Sequence, residues 1–241
     1  MEKIEALLPR EKKTLETQKK VLDVAETMLA QYDFKYLTVQ NICKMSNIAY
    51  GSFYHHFGTK ENVISLCCKR LLKRNVEVNP CPEGINPADY ISYIAWYCVL
   101  IAAFCEMLGK DLIRYLYLNS GGEDNLFGNV FEEKINPAID AAYGSGYIRT
   151  KFSRQIPETE TVANLKRDVR ISTIGIILWW CCSDEGGREE TLRKTMEHLM
   201  IRHTLSSRSE KYRSADFPHT LLSNQSISLD FHLLNFEEQK A

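Results

Sequence analysis

Between Tyr90 and Cys105 the chain carries a single polar side chain, Ser92, in about 16 residues. A run this apolar has to be covered on every side, either inside a protein core or inside a bilayer. A membrane span needs ~20 apolar residues, and Asp89 and Lys110 flank this run without a positive cluster. A buried core helix follows, and no membrane is implied. The rest of the chain has to supply its cover. With 44% hydrophobic and 25% charged residues over 241 positions, it has the composition of one or two globular domains.

The eight cysteines do not form a disulfide framework. Met1 to Lys20 is charged and lacks the apolar stretch of a cleavable signal peptide. Two pairs are vicinal, Cys67-Cys68 and Cys181-Cys182, and no C-x-x-C spacing occurs. These features predict reduced, mostly buried thiols in a cytoplasmic protein.

Charge divides the chain. Residues 1–75 carry a net +5 and residues 76–241 a net −6. A basic unit joined to a larger acidic one suggests that only the first meets a polyanion.

Met1 to Lys20 reads as a polar arm with Arg10, Lys12, Lys13, Lys19 and Lys20. From about Thr17 to Tyr32, Val21, Leu22, Ala25, Met28, Leu29 and Tyr32 fall on one helical face. After a break at Asp33–Leu37, Thr38 is placed to cap a short second helix marked by Val39, Ile42 and Cys43. A tight turn at Asn47, a residue tolerant of the left-handed conformation, leads to a third helix, about Ala49–Phe57. Gly58-Thr59 ends it and caps a fourth, about Lys60–Asn75. The middle pair has helix-turn-helix spacing.

Asn79–Pro87, rich in proline, is the clearest linker. Beyond it, helices are predicted over Tyr90–Cys105, Lys110–Asn119, Phe127–Tyr143, Glu158–Cys182 and about Arg188–Leu205, with breaks at Gly121-Gly122 and Gly144-Ser145-Gly146. Ile171–Cys182 is apolar nearly all round, so burial on several sides is expected. Residues 206–241 form a polar tail. Within it Ile227, Leu229, Phe231 and Leu233 alternate with period two, as in a short edge strand or a segment without fixed structure.

Projection of Ala49–Phe57 at helical pitch groups Ala49, Phe53 and Phe57 as the buried side. The opposite arc holds Gly51, Ser52, Tyr54 and His55. Glycine in a two-turn helix costs about 1 kcal/mol against alanine. On an exposed face it makes sense where another surface approaches the backbone. Ser52, Tyr54 and His55 can each donate to a phosphate or a base edge. Lys60, in the first turn of the fourth helix, sits where N–H groups and an ammonium converge on an anion. The plainer alternatives are a surface helix with exposed aromatics and a solvated lysine offset by Glu61.

Thr38-Val39-Gln40-Asn41-Ile42-Cys43 and Ile48-Ala49-Tyr50-Gly51-Ser52-Phe53-Tyr54-His55-His56-Phe57-Gly58-Thr59-Lys60-Glu61-Asn62-Val63 resemble the DNA-binding domain of the tetracycline-repressor (TetR) family of bacterial regulators. The resemblance covers about 60 residues and implies an all-α fold. An N-terminal three-helix helix-turn-helix domain (15–75, motif 38–57) would precede a larger helical ligand-binding and dimerisation domain (88–205) and the tail (206–241). It implies that Tyr50, Ser52 and His55 face the major groove, with Gly51 among the DNA-binding residues. Tyr54, His56 and Lys60 would contact phosphates, and Thr38 and Gln40 the flanking backbone. Three positions depart from the family pattern. Asp33 and Asn47 replace glycines, both being residues able to adopt positive φ. Ala49 replaces a Ser/Thr cap worth ~0.5–2 kcal/mol.

The resemblance further implies a homodimer whose last two long helices, Glu158–Cys182 and Arg188–Leu205, pair across a two-fold axis, and a pocket for a small effector. Aromatic residues are dense where that pocket would form: Tyr90, Tyr93, Trp96, Tyr97, Phe104, Tyr115 and Tyr117. Tyr93, Trp96, Tyr97, Tyr115 and Trp179 are the candidate lining, favouring an apolar or aromatic effector. Glu106, Asp111 and Arg114 are the nearest polar anchors. For each aromatic, ordinary core packing is the alternative. Trp179 and Trp180 are candidates for dimer anchors as well.

Catalytic signatures are absent: no G-x-S-x-G, H-E-x-x-H, P-loop or G-x-G-x-x-G occurs. His198 and His203 are spaced wrongly for one helical face, and His55 and His56 diverge. No enzyme, metal or cofactor is expected. The chain reads as a DNA-binding transcriptional regulator, a repressor released from a pseudo-palindromic operator by its effector, with double-stranded DNA and a second copy of itself as partners. The alternatives are a DNA-binding or scaffold protein without effector response, and a thiol-based redox or metal sensor.

Overall fold

The computed structural model describes residues 9–82, 90–119, 126–145, 158–183 and 192–197. The chain divides into two compact units. One runs to Leu71 and includes Leu116–Asn119; the other holds Leu72–Tyr115 and the described residues from Phe127 on. No strand occurs among the described residues, as the all-α reading requires. The tail at 206–241 and the pair His198 and His203 lie outside them.

In the first unit α1 covers Pro9–Gln31, so part of the polar arm is helical. Proline at its first position suits a helix start, where no N–H partner exists. Val21, Ala25, Met28 and Leu29 are buried on one face. Asp33 does not use positive φ: at φ −55° it opens a 3-10 turn, Phe34–Tyr36, accepting Lys35 N–H at 2.9 Å. An aspartate can close this turn with its own carboxylate, which a glycine cannot. The short helix α2 (Val39–Ser46) is capped by Thr38 and ends at Asn47, φ 50° and ψ 52°. Then come α3 (Tyr50–Phe57) and α4 (Lys60–Val78). Gly58 between them has φ +70°.

A polar tie fixes α4 to α1. Arg70 pairs with Asp23 at 2.7 Å and through Nε with Glu26 at 3.1 Å. The Glu26 side chain is fully buried, so the guanidinium is what makes its charge tolerable there. Cys67 Sγ donates to Leu22 O at 3.6 Å.

The second unit is built round α5, Tyr90–Leu108, in which every residue from Ile94 to Cys105 is buried. No single helix among the described residues is long and apolar enough to cross a membrane. Gly109, at φ +82°, turns the chain by 104° into α6, Lys110–Asn119. The stretch α7 begins as Gly128–Val130, passes through a π-helical turn, Phe131–Ile135, and continues as Asn136–Gly144. The long helix α8, Glu158–Cys182, has the predicted bounds. Residues 192–197 are helical, within the span expected for the last helix.

Helix α8 is held by polar contacts along its length. Lys166 meets Asp140 at 2.7 Å, and Arg170 meets Glu132 at 3.4 Å while lying over the Phe131 ring. Thr173 faces Cys98 at 3.7 Å. At its C-terminus Lys110 donates to Ser183 O at 2.7 Å and Arg114 to Cys181 O. Cations suit that negative end of the macrodipole. The expected burial of Ile171–Cys182 on several sides is not met within one chain. Ile171, Leu178 and Trp179 are 60%, 37% and 59% exposed.

Candidate nucleic-acid interface

Helix α3 stands on two phenylalanines. Phe53 and Phe57 are buried, their rings 5.6 Å apart. Ala49, expected beside them, is exposed instead. It is the N-cap residue in extended conformation and makes no side-chain cap bond, so the helical projection does not apply to it. The opposite arc presents Tyr50, Gly51, Tyr54 and His55 to solvent, with Ser52 and His56 half-buried. Tyr50 and Tyr54 are each about half exposed. The ring of Tyr54 lies edge-on to Phe53, 5.5 Å between centroids, and His55 and His56 are 5.2 Å apart.

A Cβ built on Gly51 meets nothing within 4 Å. The fold itself therefore does not demand glycine there. What glycine provides is a bare stretch of backbone on the exposed face.

The surrounding elements bring the other candidates onto the same unit. Thr38 and Gln40 are exposed at the start of α2, where Thr38 Oγ1 accepts Asn41 N–H at 3.1 Å. Its hydroxyl proton stays available to an outside acceptor. Lys60 is the first residue of α4. Between α2 and α3, Asn47 takes the predicted left-handed conformation and its N–H bonds back to the end of α2, joined by Ile48 N–H to Cys43 O at 3.1 Å. That pattern closes a helix and sets the direction of the next one.

Sequence reasoning missed Asn41 and Asn62. Both amides are engaged: Asn41 Nδ2 donates to Tyr36 O at 2.9 Å and Asn62 Nδ2 to Phe57 O at 3.0 Å. The signal was present as Thr-x-x-Asn, the spacing of a capping box with an amide in the acidic position.

The candidate effector-pocket residues belong to the second unit. Trp96 and Tyr97 are buried. Trp96 Nε1 donates to Asn79 O at 3.4 Å, and Tyr97 bonds Tyr93 and the backbone of Cys81. Burial and the Tyr93 contact push the Tyr97 phenol well above its usual range. Tyr115 is half-buried, whereas Trp179 points outward. Glu106 pairs with Arg193 at 2.8 Å, and Asp111 with Arg114 at 3.4 Å.

All eight cysteines are free. Six are buried, Cys81 is half-buried and Cys182 exposed. Burial pushes the Cys68 and Cys98 thiols up to about 12 and the Cys181 thiol to about 11. Thiols held this far above neutrality are poor nucleophiles and metal ligands. No group of three His, Cys, Asp or Glu side chains among the described residues could hold a metal.

A short solvent-facing helix, set by a left-handed asparagine turn behind a capped helix, defines a helix-turn-helix protein of the DNA-binding class. Residues 21–66 match the family model for bacterial regulatory proteins of the tetR family, so this segment is similar to the N-terminal domain of that family. No curated protein matches the chain by sequence. Several solved structures resemble it, three of which follow. One is a protein assigned to the tetR family of transcription regulators from Shewanella sp. PV-4, 13% identical over 77% of this chain and 96% of that one, TM-score 0.45. The superantigen PfiT is 16% identical over 77% and 95%, TM-score 0.42. RolR, in complex with the ligand resorcinol, is 12% identical over 90% and 97%, TM-score 0.46. At these values the likeness says nothing of ligand or partner.

Proposed function

We propose that the protein is a homodimeric transcriptional regulator that inserts α3 of each subunit into a major groove of a pseudo-palindromic operator and is released by a small apolar or aromatic effector. The observation that carries the reading is the exposed arc of α3, Tyr50, Gly51, Tyr54 and His55, on a helix anchored by Phe53 and Phe57. Tyr50, Ser52 and His55 read base edges. Tyr54, His56 and Lys60 hold phosphates, with Thr38 and Gln40 on the flanking backbone. Half-site spacing follows from the dimer, and the effector acts by favouring a dimer whose α3 helices no longer match that spacing. The lining residues are Tyr93, Trp96, Tyr97 and Tyr115; the outward face of Trp179 fits the subunit contact better than the pocket.

The test is fluorescence anisotropy with DNA from upstream of the protein's own gene, against scrambled DNA, across salt concentrations and with Tyr54→Ala. Specific, salt-sensitive binding that is lost in Tyr54→Ala is the expected result. Equal affinity for both duplexes in wild type would count against a local operator, and salt-independent binding against the interface.

A further inference from the structure

Two stretches of the first unit are built alike, bond for bond. Tyr36 O accepts from Thr38 N–H at 2.8 Å and from Asn41 Nδ2 at 2.9 Å, while Thr38 Oγ1 accepts Asn41 N–H at 3.1 Å. Further along, Phe57 O accepts from Thr59 N–H at 2.7 Å and from Asn62 Nδ2 at 3.0 Å, while Thr59 Oγ1 accepts Asn62 N–H at 3.1 Å. In an ordinary capping box the third-position side chain returns to the N–H of the cap residue. Here that N–H is already bonded, and the amide reaches one element further back.

The consequence differs from capping. Tyr36 ends the 3-10 turn and Phe57 ends α3. Each asparagine therefore ties the last carbonyl of one element to the first turn of the next, and the two ties bracket the α2–turn–α3 segment. Helix α3 needs such a tie. It has eight residues and no side-chain cap at Ala49, and a helix that short is marginal alone. Gly58 beyond it supplies a φ of +70° but no side chain to fix the angle.

We propose that Asn41 and Asn62 are positioning residues for DNA reading: neither contacts a base, and each fixes the end of an element that meets the duplex. The proposal rests on α3 being the DNA-reading helix. An amide suits the task because it ties without adding negative charge beside phosphates. The usual glutamate of a capping box would add it.

The probe is the duplex that the full-length protein enriches from a random-sequence pool, compared with a scrambled duplex by anisotropy, alongside thermal melts. Asn62→Ala should weaken binding to the enriched duplex by about tenfold, the worth of one good hydrogen-bonded base pair reading, and leave the scrambled duplex within about twofold, since phosphate contacts set that affinity. Asn41→Ala should act in the same direction. Asn62→Asp, equal in shape but unable to donate, should lose affinity for both duplexes because its charge repels phosphate. Unchanged affinities in both alanine variants would overturn the proposal. So would equal losses on both duplexes that track a lower melting temperature, the signature of a cap that only supports the fold. If wild type enriches no sequence, the DNA-reading role of α3 falls, and this proposal with it.

Discussion

At the scale of single residues, Gly51 separates what the fold needs from what the surface needs. Nothing lies within 4 Å of a Cβ placed there, and glycine inside a helix costs about 1 kcal/mol against alanine. Gly51→Ala should therefore raise the stability of the isolated protein by up to ~1 kcal/mol in denaturant melts, while lowering DNA affinity because the methyl group stands off the duplex. A variant that is both more stable and an equal DNA binder would show that no surface approaches α3 closely. On the proposed reading, the neighbouring side chains sort by the kind of contact they make. Lys60→Ala or Tyr54→Ala should weaken binding to all sequences, and loss of the Lys60 charge should also reduce the slope of log affinity against log salt by about one, which loss of the neutral Tyr54 should not. Ser52→Ala and His55→Ala should instead relax preference at particular base pairs, by roughly 1–3 kcal/mol each. Titration across salt with a panel of single-base-pair variants distinguishes the two behaviours.

At the scale of elements, the join between α1 and α4 combines the pairing of a part-exposed Arg70 with a buried Glu26 and the buried thiols Cys67 and Cys68. Arg70→Ala would strand Glu26, whose side chain is fully buried, and removing one partner of a buried pair costs about 3–5 kcal/mol. Arg70 is itself part-exposed, so a loss near 3 kcal/mol in urea melts is expected, and Arg70→Ala with Glu26→Gln should recover part of it. Buried thiols, one in each unit, make a separate prediction. Burial raises Cys68 and Cys98 from 9.0 to about 12 in the folded state. The folded form then holds protons that the unfolded form releases, so stability is level below pH 9 and falls as pH climbs from about 9 towards 12. Melts at successive alkaline pH values test this against a Cys68→Ala, Cys98→Ala double variant, whose decline should be shallower. Legibility from sequence divides along the same line between local and long-range chemistry. Helix bounds set by local signals were readable: the Thr38 cap, the Asn47 turn, the Gly58 stop and the predicted Glu158–Cys182 span all occur. The Arg70–Glu26 tie was not, because a charge buried through a partner far away in sequence leaves no periodic trace. Ala49 was misread for a related reason: a helical projection assumes helical backbone, and the N-cap residue of α3 is extended.

At the scale of the whole molecule, the outward face of α8 is the feature one chain leaves unfinished. Ile171, Gly175, Leu178, Trp179 and Cys182 recur at helical spacing, and all are exposed, although the segment is apolar enough to predict burial. Sequence pattern could say that this face needs cover but not what supplies it, since cover by the same chain and cover by a second copy leave the same pattern. A second copy is the reading that agrees with the proposed regulator, because two half-sites require two recognition helices. It predicts that Trp179→Glu, a change at a side chain 59% exposed, leaves the fold of each chain intact by circular dichroism and converts the protein to monomer by sedimentation equilibrium at micromolar concentration. A monomer engages one half-site, so the second contact no longer comes at high effective concentration. Affinity for a two-half-site duplex should then drop by about 10²- to 10⁴-fold, whereas affinity for a single half-site should hardly change. The pairing of these two readings is decisive. Loss on both duplexes would mean that the substitution damages the protein. A Trp179→Glu protein that stays dimeric and binds normally would move the subunit contact off α8 altogether.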